Sequence, residues 1–284
     1  MDHFWLKKWV REKQKGEKGN FFDRIGVVKI KKQSRREVNN TLKMWQLWGT
    51  PLFSSSASSL LIMVEDQIDT NQNKPFWIAT VNTEFVIEAQ KDRQFFELLK
   101  KTSLNVMDGI GLVWAKLVQE GRNWIVAGTE ILGGKHRESL VTGVELMDRM
   151  CELAGRKGST VYFFGGWGDR AKRTAEYFQK KYPKLKVAGF KEEDFDMETK
   201  ADFLFVARGM KKQERWIEEH LDKLRVKVVM GVGRSFDYYS GDLKRAPEGF
   251  RKMGLEWLYS LYKEPKRWRR QLALPRFIWK VLTS

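Results

Sequence analysis

The sequence predicts an α/β fold: an open, Rossmann-like, mostly parallel sheet flanked by helices, with a basic helical C-terminal appendage. Three observations support this prediction. From about residue 47, short apolar runs alternate with helix-patterned stretches, which favours parallel strands joined by right-handed helical crossovers. The 284 residues show no internal repeat and are enough for one large domain. After Gly241, long helix-prone segments rich in Trp and Arg follow, divided by Pro265 and Pro275.

The individual elements follow from the spacing of apolar residues. Six short apolar runs predict strands, at residues 76–81, 104–107, 160–164, 184–190, 201–207 and 227–233. Apolar residues at helical spacing predict the helices: one ending near Ile68, then 83–101, 110–118, 142–158, 168–182 and 212–224. The helix over 83–101 is predicted as a single element because Phe85, Ala89, Phe95 and Leu98 recur at that spacing.

The net charge of +17 is concentrated at the two ends of the chain. Residues 1–45 contain 13 Lys and Arg against 5 Asp and Glu, and residues 244–284 contain 11 against 3. The middle is close to neutral. This distribution predicts a basic N-terminal extension of unknown role (1–46), an α/β domain (47–243) and a basic amphipathic appendage (244–284) that meets an anionic partner, either a membrane surface or nucleic acid.

The composition also limits the cellular compartment. A single cysteine, Cys151, excludes an intramolecular disulfide and favours a reducing environment. No apolar run approaches the roughly 18 residues of a transmembrane helix, and the N-terminus lacks the apolar core of a signal peptide. The sequence therefore predicts a cytoplasmic protein.

Polar residues follow several predicted strands, where open α/β sheets bind ligands. Thr80, Asn82 and Glu84 follow the first strand, and Asp108 with Gly109 follows the second. Two interpretations stay open for these positions: caps and turns of the next helix, or the polar lining of an active site.

A third strand ends in a glycine-rich turn with Gly165, Gly166 and Gly168 before a helix. Such a turn suits a phosphate group, because backbone N–H groups and the helix dipole point towards it. The pattern also half-matches the dinucleotide fingerprint of oxidoreductases. That alternative is disfavoured, because the next strand runs into Lys191 before any carboxylate that could hold a ribose.

Two further loops carry polar residues. Gln213 and Glu214 open one helix, and Asp237 and Arg245 follow the last strand. Metal motifs are few: the three histidines are dispersed, and Asp194 with Asp196 is a weak candidate for holding Mg²⁺ or Mn²⁺ on a diphosphate. No metal or other cofactor is expected.

Seven segments together resemble the WecG/TagA/CpsF family of bacterial glycosyltransferases. They are TVNTE (80–84), MDGIGLVW (107–114), LVTGVELM (140–147), FFGGWGD (163–169), GMKKQERW (209–216), GVGRSFDYYSGDLKRAP (231–247) and GLEWLYSLYKEPKRWRRQ (254–271). The chain departs from the family pattern at three positions. Lys211 replaces a proline, Leu140 stands where an arginine is common, and Arg234 replaces part of a glycine pair.

The resemblance implies a function. Family members transfer an N-acetylmannosamine-type or related sugar from a UDP donor to a sugar on a polyprenyl diphosphate, with inversion and without a metal, at the cytoplasmic membrane face. The pathways served are teichoic acid, common antigen or capsule synthesis. Self-association through the body of the protein is also known among members, so a homo-oligomer is consistent with the resemblance.

The resemblance and the strand-end positions together assign roles to residues. Asp108 is the predicted base, with Thr80 and Asn82 in the same pocket. The donor nucleotide is assigned to a larger set, namely Gly165, Gly166, Gly168, Gln213, Glu214 and Asp237. The acceptor diphosphate and the membrane are assigned to Arg245, Arg267, Arg269, Arg270 and Trp268.

The appendage interleaves cations with apolar residues, a pattern typical of a helix lying on an anionic leaflet. The apolar members are Trp268, Leu272, Phe277, Ile278, Trp279 and Val281. The sequence thus predicts a peripheral protein on the inner face of the plasma membrane. A nucleic-acid-binding protein is the alternative from a different class, but it leaves Asp108 and the glycine turn without a use.

Overall fold

A single sheet organises the chain in the computed structural model, which describes residues 43–54, 56–70, 74–136, 140–265, 268 and 272–284. Within these residues eight strands lie in the order β1-β2-β4-β3-β8-β7-β5-β6. They are β1 (Lys43–Leu47), β2 (Thr50–Ser54), β3 (Phe76–Val81), β4 (Leu104–Met107), β5 (Thr160–Gly165), β6 (Lys186–Lys191), β7 (Lys200–Ala207) and β8 (Arg225–Gly231). All neighbouring pairs are parallel except the β1–β2 hairpin. The predicted α/β class is confirmed.

Helices cover both faces of this sheet. In the described ranges they are α1 (Ala57–Asp69), α2 (Thr83–Ala89), α3 (Arg93–Leu99), α4 (Ile110–Gln119), α5 (Trp124–Leu132), α6 (Gly143–Lys157), α7 (Arg170–Lys181), α8 (Lys212–His220), α9 (Ser235–Tyr239), α10 (Glu248–Lys252), α11 (Glu256–Lys263) and α12 (Ala273–Leu282). None of these described helices is both long and apolar enough to span a bilayer.

The sheet separates two hydrophobic cores. One contains residues of α1, α6, α7 and α9, and the other contains residues of α2, α3, α4, α8 and α12. Adjacent residues of a strand point to opposite faces, so Phe163 of β5 lies in the first core and Phe164 in the second. This three-layer arrangement leaves the strand ends open for a site.

Three local features differ from the sequence-based prediction. The predicted helix over 83–101 is two helices, because the Asp92 side chain accepts a hydrogen bond of 3.1 Å from the Phe95 N–H and starts α3. The β1–β2 hairpin was not predicted, since β2 is buried along its whole length and shows no alternation. Helix α5 was not predicted either. The division at 46/47 and 243/244 stays a prediction, with β1 already beginning at Lys43.

The C-terminal helix α12 packs against the body of the protein. Phe277 and Val281 are buried in the second core, where Phe277 meets Trp48 edge-on at 5.7 Å between ring centroids. These two side chains therefore do not face a bilayer, contrary to the predicted pattern. Trp279 is 71% exposed on the same helix, because successive helical residues point in different directions.

Candidate active site

A cleft of about 600 Å³ lies beyond the carboxyl ends of β3, β4 and β8. This volume is within the range of small-molecule sites. Its walls come from the turns after the three strands, the start of α6, the loop before α8 and the segment after Arg245. The residues used below that line it are Thr80, Asn82, Asp108, Thr142, Gly143, Gln213, Gly233, Arg234, Tyr238, Arg245, Arg251 and Glu256.

Asp108 follows β4 directly and lies on this cleft. Its backbone N–H donates to the Val81 carbonyl at 2.7 Å, which ties the end of β4 to the end of β3. Burial raises the pKa of Asp108 to about 7, the backbone N–H of Gly143 opposes this increase, and the negative charge of Glu256 adds to it. A carboxylate with a pKa near neutrality is matched to general base chemistry at physiological pH.

Thr80 and Asn82 stand at the end of the neighbouring strand β3. The Thr80 hydroxyl donates to the Gly231 carbonyl at 3.2 Å, which links β3 to the end of β8. The Asn82 side-chain oxygen accepts from the N–H groups of Glu84 and Phe85 and caps α2. Capping and site lining are thus compatible here, because the cap uses only the oxygen of the Asn82 amide.

Gln213 forms part of the cleft at the start of α8 and is itself buried. Its side-chain oxygen accepts from the Gly233 N–H at 3.0 Å, and its amide nitrogen donates to the Glu214 carboxylate at 2.6 Å. Burial raises the pKa of Glu214 to about 7, against the effect of the Gln213 and Lys211 hydrogen bonds. These hydrogen bonds fix the loop after β8, which contains Arg234.

Two arginines of the cleft are paired with carboxylates from the C-terminal part of the chain. The Arg245 Nε donates to Glu256 at 3.2 Å, and its Nη2 lies 3.4 Å from the Thr142 hydroxyl. Arg234 donates through both terminal nitrogens to the two Glu264 oxygens, at 2.7 and 3.0 Å. The site therefore combines a carboxylate of raised pKa with two arginines that are each paired with a carboxylate.

Comparison with known proteins shows the family to which the chain belongs. The model of the glycosyl transferase WecG/TagA/CpsF family matches residues 45–284. The chain belongs to this family. One relative, the N-acetylglucosaminyldiphosphoundecaprenol N-acetyl-beta-D-mannosaminyltransferase of Bacillus subtilis (strain 168), is 30% identical over 214 residues, or 72% of this chain and 78% of the relative. The protein of the same name from Staphylococcus aureus (strain MRSA252) is 29% identical over 258 residues, or 86% of this chain and 94% of the relative.

The structure brings together part of the residue set that the family resemblance assigned. Thr80, Asn82, Asp108, Gln213 and Arg245 all line the one cleft, although they are spread over more than 160 positions of the sequence. Their convergence follows from topology, because β4, β3 and β8 are adjacent and parallel. Their roles in binding and catalysis stay predictions.

The glycine turn does not line the cleft, contrary to its predicted place. Strand β5 is separated from β8 by β7, and the Gly166 N–H donates to the Ala207 carbonyl at 2.8 Å. A Cβ on Gly165, whose φ is +99°, would lie 2.6 Å from that same carbonyl oxygen. Close approach of two backbones therefore requires glycine at 165, which explains part of the motif without a phosphate.

Glu214 and Asp237 also lie behind the cleft wall rather than on it. Glu214 holds the Lys211 N–H at 2.7 Å as well as Gln213. Asp237 accepts from the Arg234 Nε at 2.9 Å and from Arg170 at 2.8 Å, so it reaches the cleft only through Arg234. Both residues position side chains that do line it.

The remaining predicted residues are placed as follows. Arg267, Arg269 and Arg270 lie outside the described residues, whereas Trp268 is described and 53% exposed. Asp194 and Asp196 lie in the loop after the edge strand β6 and do not line the cleft. Asp196 instead accepts from the Glu198 N–H at 3.0 Å. Over the described part of the chain, no group of three or more His, Cys, Asp or Glu residues is arranged to hold a metal.

Several lining residues were not singled out from the sequence. Thr142 caps α6 through the Glu145 N–H and borders the cleft, but it had been quoted only within a family segment. Glu256 and Tyr238 were likewise quoted only within family segments, and Arg234 was noted only as a departure from the family pattern. The positions of Arg234 and Arg245 after the last strand were the signal in the sequence that this segment contributes to the site.

Proposed function

We propose that this protein is an inverting glycosyltransferase that moves an N-acetylmannosamine-type sugar from a UDP donor to the sugar of a polyprenyl-diphosphate-linked acceptor. The product would feed cell-surface polysaccharide or teichoic acid synthesis. The observation that carries the proposal is the buried carboxylate of Asp108, with a pKa near neutrality, on a cleft that also contains three arginines, in a chain of this family. The relatives' names supply the sugar and acceptor class, and the family resemblance supplies UDP.

Asp108 acts as the base in this proposal. Its carboxylate takes the proton of the acceptor hydroxyl while the oxygen attacks the anomeric carbon, and the bond to the UDP oxygen breaks on the opposite face. UDP leaves with the electron pair of that bond. One carboxylate suffices, because inversion needs no covalent glycosyl-enzyme. Thr80 and Asn82 stand beside Asp108 and would orient the hydroxyl that reacts.

Negative charge builds on the diphosphate as UDP departs and has to be stabilised. Three arginines of the cleft wall, Arg234, Arg245 and Arg251, supply positive charge in this proposal. Asp194 and Asp196 have no part in it, since they lie away from the cleft. We therefore expect full activity in EDTA. Loss of activity in EDTA that magnesium restores would contradict this part of the proposal.

The acceptor lipid stays in the bilayer, so the enzyme has to approach the membrane surface. Large exposed aromatic side chains lie in the C-terminal part: Tyr262 is 77% exposed and Trp279 is 71% exposed. Together with the basic residues of 244–284, they support peripheral attachment to the anionic cytoplasmic face. Trp and Tyr side chains suit this boundary because they are partly apolar and partly polar.

The direct test is a transfer assay with the purified chain. A panel of radiolabelled UDP-sugars, UDP-N-acetylmannosamine among them, is offered with a short-chain polyprenyl diphosphate-GlcNAc acceptor, and the lipid product is counted. We expect one UDP-sugar to label the lipid, with an inverted anomeric configuration. The absence of labelling with every donor in the presence of anionic vesicles would contradict the proposal.

A further inference from the structure

The guanidinium of Arg234 has the geometry of an anion-binding group, and the carboxylate of Glu264 is bound to it. Its two terminal nitrogens face both oxygens of Glu264, at 2.7 and 3.0 Å. This bidentate geometry is the one with which a guanidinium binds phosphate oxygens as well as carboxylates. Arg234 itself borders the cleft, so its pair with Glu264 lies next to the site.

The orientation of Arg234 is fixed independently of Glu264. Its third nitrogen, Nε, donates to Asp237 at 2.9 Å, and Asp237 is held in turn by Arg170 at 2.8 Å. Removing Glu264 therefore leaves the guanidinium anchored through Nε, with both terminal nitrogens available to another anion. Such preorganisation lowers the cost of binding an anion there.

A second arginine–carboxylate pair involves the same segment. Glu256, at the start of α11, receives a hydrogen bond of 3.2 Å from Arg245. The residues 256–264 thus place two carboxylates on two cleft arginines. An anionic ligand of the cleft has to compete with both of them.

The Arg234–Glu264 pair is accessible enough to exchange. The side chains of Arg234 and Glu264 are 25% and 31% exposed, and partly exposed ion pairs contribute little net stability. Replacement of Glu264 by a diphosphate would exchange one charged acceptor for a more strongly charged one. Release of the segment is therefore compatible with a folded protein.

We propose that Arg234 binds the diphosphate of a substrate and that Glu264 occupies its guanidinium until that substrate arrives. Binding of the diphosphate then releases the segment 256–264 from the cleft wall. The proposal rests on the proposed function, which brings two diphosphates to this site: that of the donor nucleotide and that of the lipid acceptor. Both ligands present a diphosphate to Arg234, and the experiment distinguishes the donor from the acceptor.

The experiment measures the dissociation constants of UDP and of farnesyl diphosphate by calorimetry. Each probe is titrated alone, without vesicles and without the other substrate. Glu264→Gln keeps the shape of the side chain and removes its charge. We expect it to tighten binding of one of the two probes about fivefold, the factor that a partly exposed ion pair is worth. Arg234→Gln should weaken binding of the same probe about tenfold or more, since it removes a bidentate charged contact.

Two further variants make the result specific. In the double variant Arg234→Gln/Glu264→Gln, the gain from removing Glu264 should vanish, because the two residues act through one contact. The matched control is Glu176→Gln on α7, which removes an exposed carboxylate that is paired with Lys172 and lies outside the cleft. It should bind both probes as the wild type does. Hydrogen exchange in α11 should increase when the effective probe is added to the wild type.

The outcomes separate this inference from the proposed function. If the wild type binds neither UDP nor farnesyl diphosphate, the proposed function fails and the inference with it. If the wild type binds a probe but Glu264→Gln binds both with wild-type affinity, only the inference is overturned. Wild-type affinity in a folded Arg234→Gln variant would overturn it equally, with folding checked by thermal melting.

Discussion

Gly143, at the start of α6, brings its backbone against the carboxylate of Asp108, which directly follows β4. An added Cβ on Gly143 would lie 3.3 Å from Asp108 Oδ2 and 3.2 Å from Thr80 Oγ1. Glycine at 143 therefore lets α6 approach two predicted site residues at once. The Gly143 N–H is also the main group that opposes the effect of burial on the Asp108 pKa.

Gly143→Ala should impair catalysis without unfolding the protein. The added methyl group crowds Thr80 and Asp108, and displacements of reacting groups by less than 1 Å cost about 10- to 100-fold in rate. Alanine is otherwise favourable in the first turn of a helix. The measurement is kcat together with the melting temperature. Gly128→Ala in α5 is the matched control, because nothing lies within 4 Å of its added Cβ; equal activity in the two variants would contradict the expected crowding.

Glu256→Gln should shift the pH dependence of the reaction. The negative charge of Glu256 raises the pKa of Asp108, and that of Arg245 lowers it. Removing the Glu256 charge therefore favours ionised Asp108, and the acidic limb of the kcat/KM profile should move to lower pH by up to about one unit. The remote Glu176→Gln variant should leave the limb unchanged. A limb that stays in place, or moves to higher pH, would show that Asp108 does not control it.

Asp108→Asn should stabilise the fold at neutral and alkaline pH. Burial raises the pKa of Asp108 from its ordinary 3.8 to about 7, so ionisation destabilises the folded state progressively as pH rises through this window. An asparagine has no such cost and can still accept from Gly143. At pH 8 we expect Asp108→Asn to increase the free energy of unfolding by roughly 1–3 kcal/mol relative to the wild type, seen as a higher melting temperature. At pH 4 we expect no difference in melting temperature. Equal melting temperatures at pH 8 would argue against a buried carboxylate.

Removing three charges from the appendage should weaken membrane attachment. The triple variant Arg267→Gln, Arg269→Gln and Arg270→Gln should bind vesicles containing phosphatidylglycerol about 100-fold less tightly at low salt, at about 1 kcal/mol per cation. The matched control removes three exposed cations from the body, with Lys172→Gln, Lys180→Gln and Lys184→Gln. Equal losses in the two triple variants would mean that net charge, rather than the appendage, governs binding. A duplex DNA titration run alongside tests the nucleic-acid alternative.

The α/β class and the polar strand ends could be predicted from the sequence because both follow from local patterns. Apolar runs predict parallel strands, and the carboxyl ends of parallel strands meet at one edge of the sheet. Asp108, Thr80 and Asn82 were placed correctly on one cleft for this reason. Which strands are adjacent was not predicted, since the order depends on long-range pairing.

The rest of the site depends on contacts that no local pattern records. A glycine-rich turn such as 165–168 can make room either for a phosphate or for a neighbouring backbone, and the sequence does not distinguish the two. At Gly165 the neighbour is the backbone of Ala207. The pairing of Arg234 with Glu264 joins residues 30 positions apart. Burial of Phe277 against the body requires the folded sheet, and without it the residue is indistinguishable from a membrane-facing one.

The most direct test of Asp108 as the base is the rate of sugar transfer by Asp108→Asn, at saturating donor and lipid acceptor. Asparagine keeps the shape and the Gly143 contact but cannot accept the proton, so kcat should fall about 10²- to 10⁴-fold. The wild-type rate should rise with pH up to about 7 and then level off, whereas the residual rate of the variant should lack that limb. A variant that turns over near the wild-type rate would contradict the assignment of Asp108 as the base.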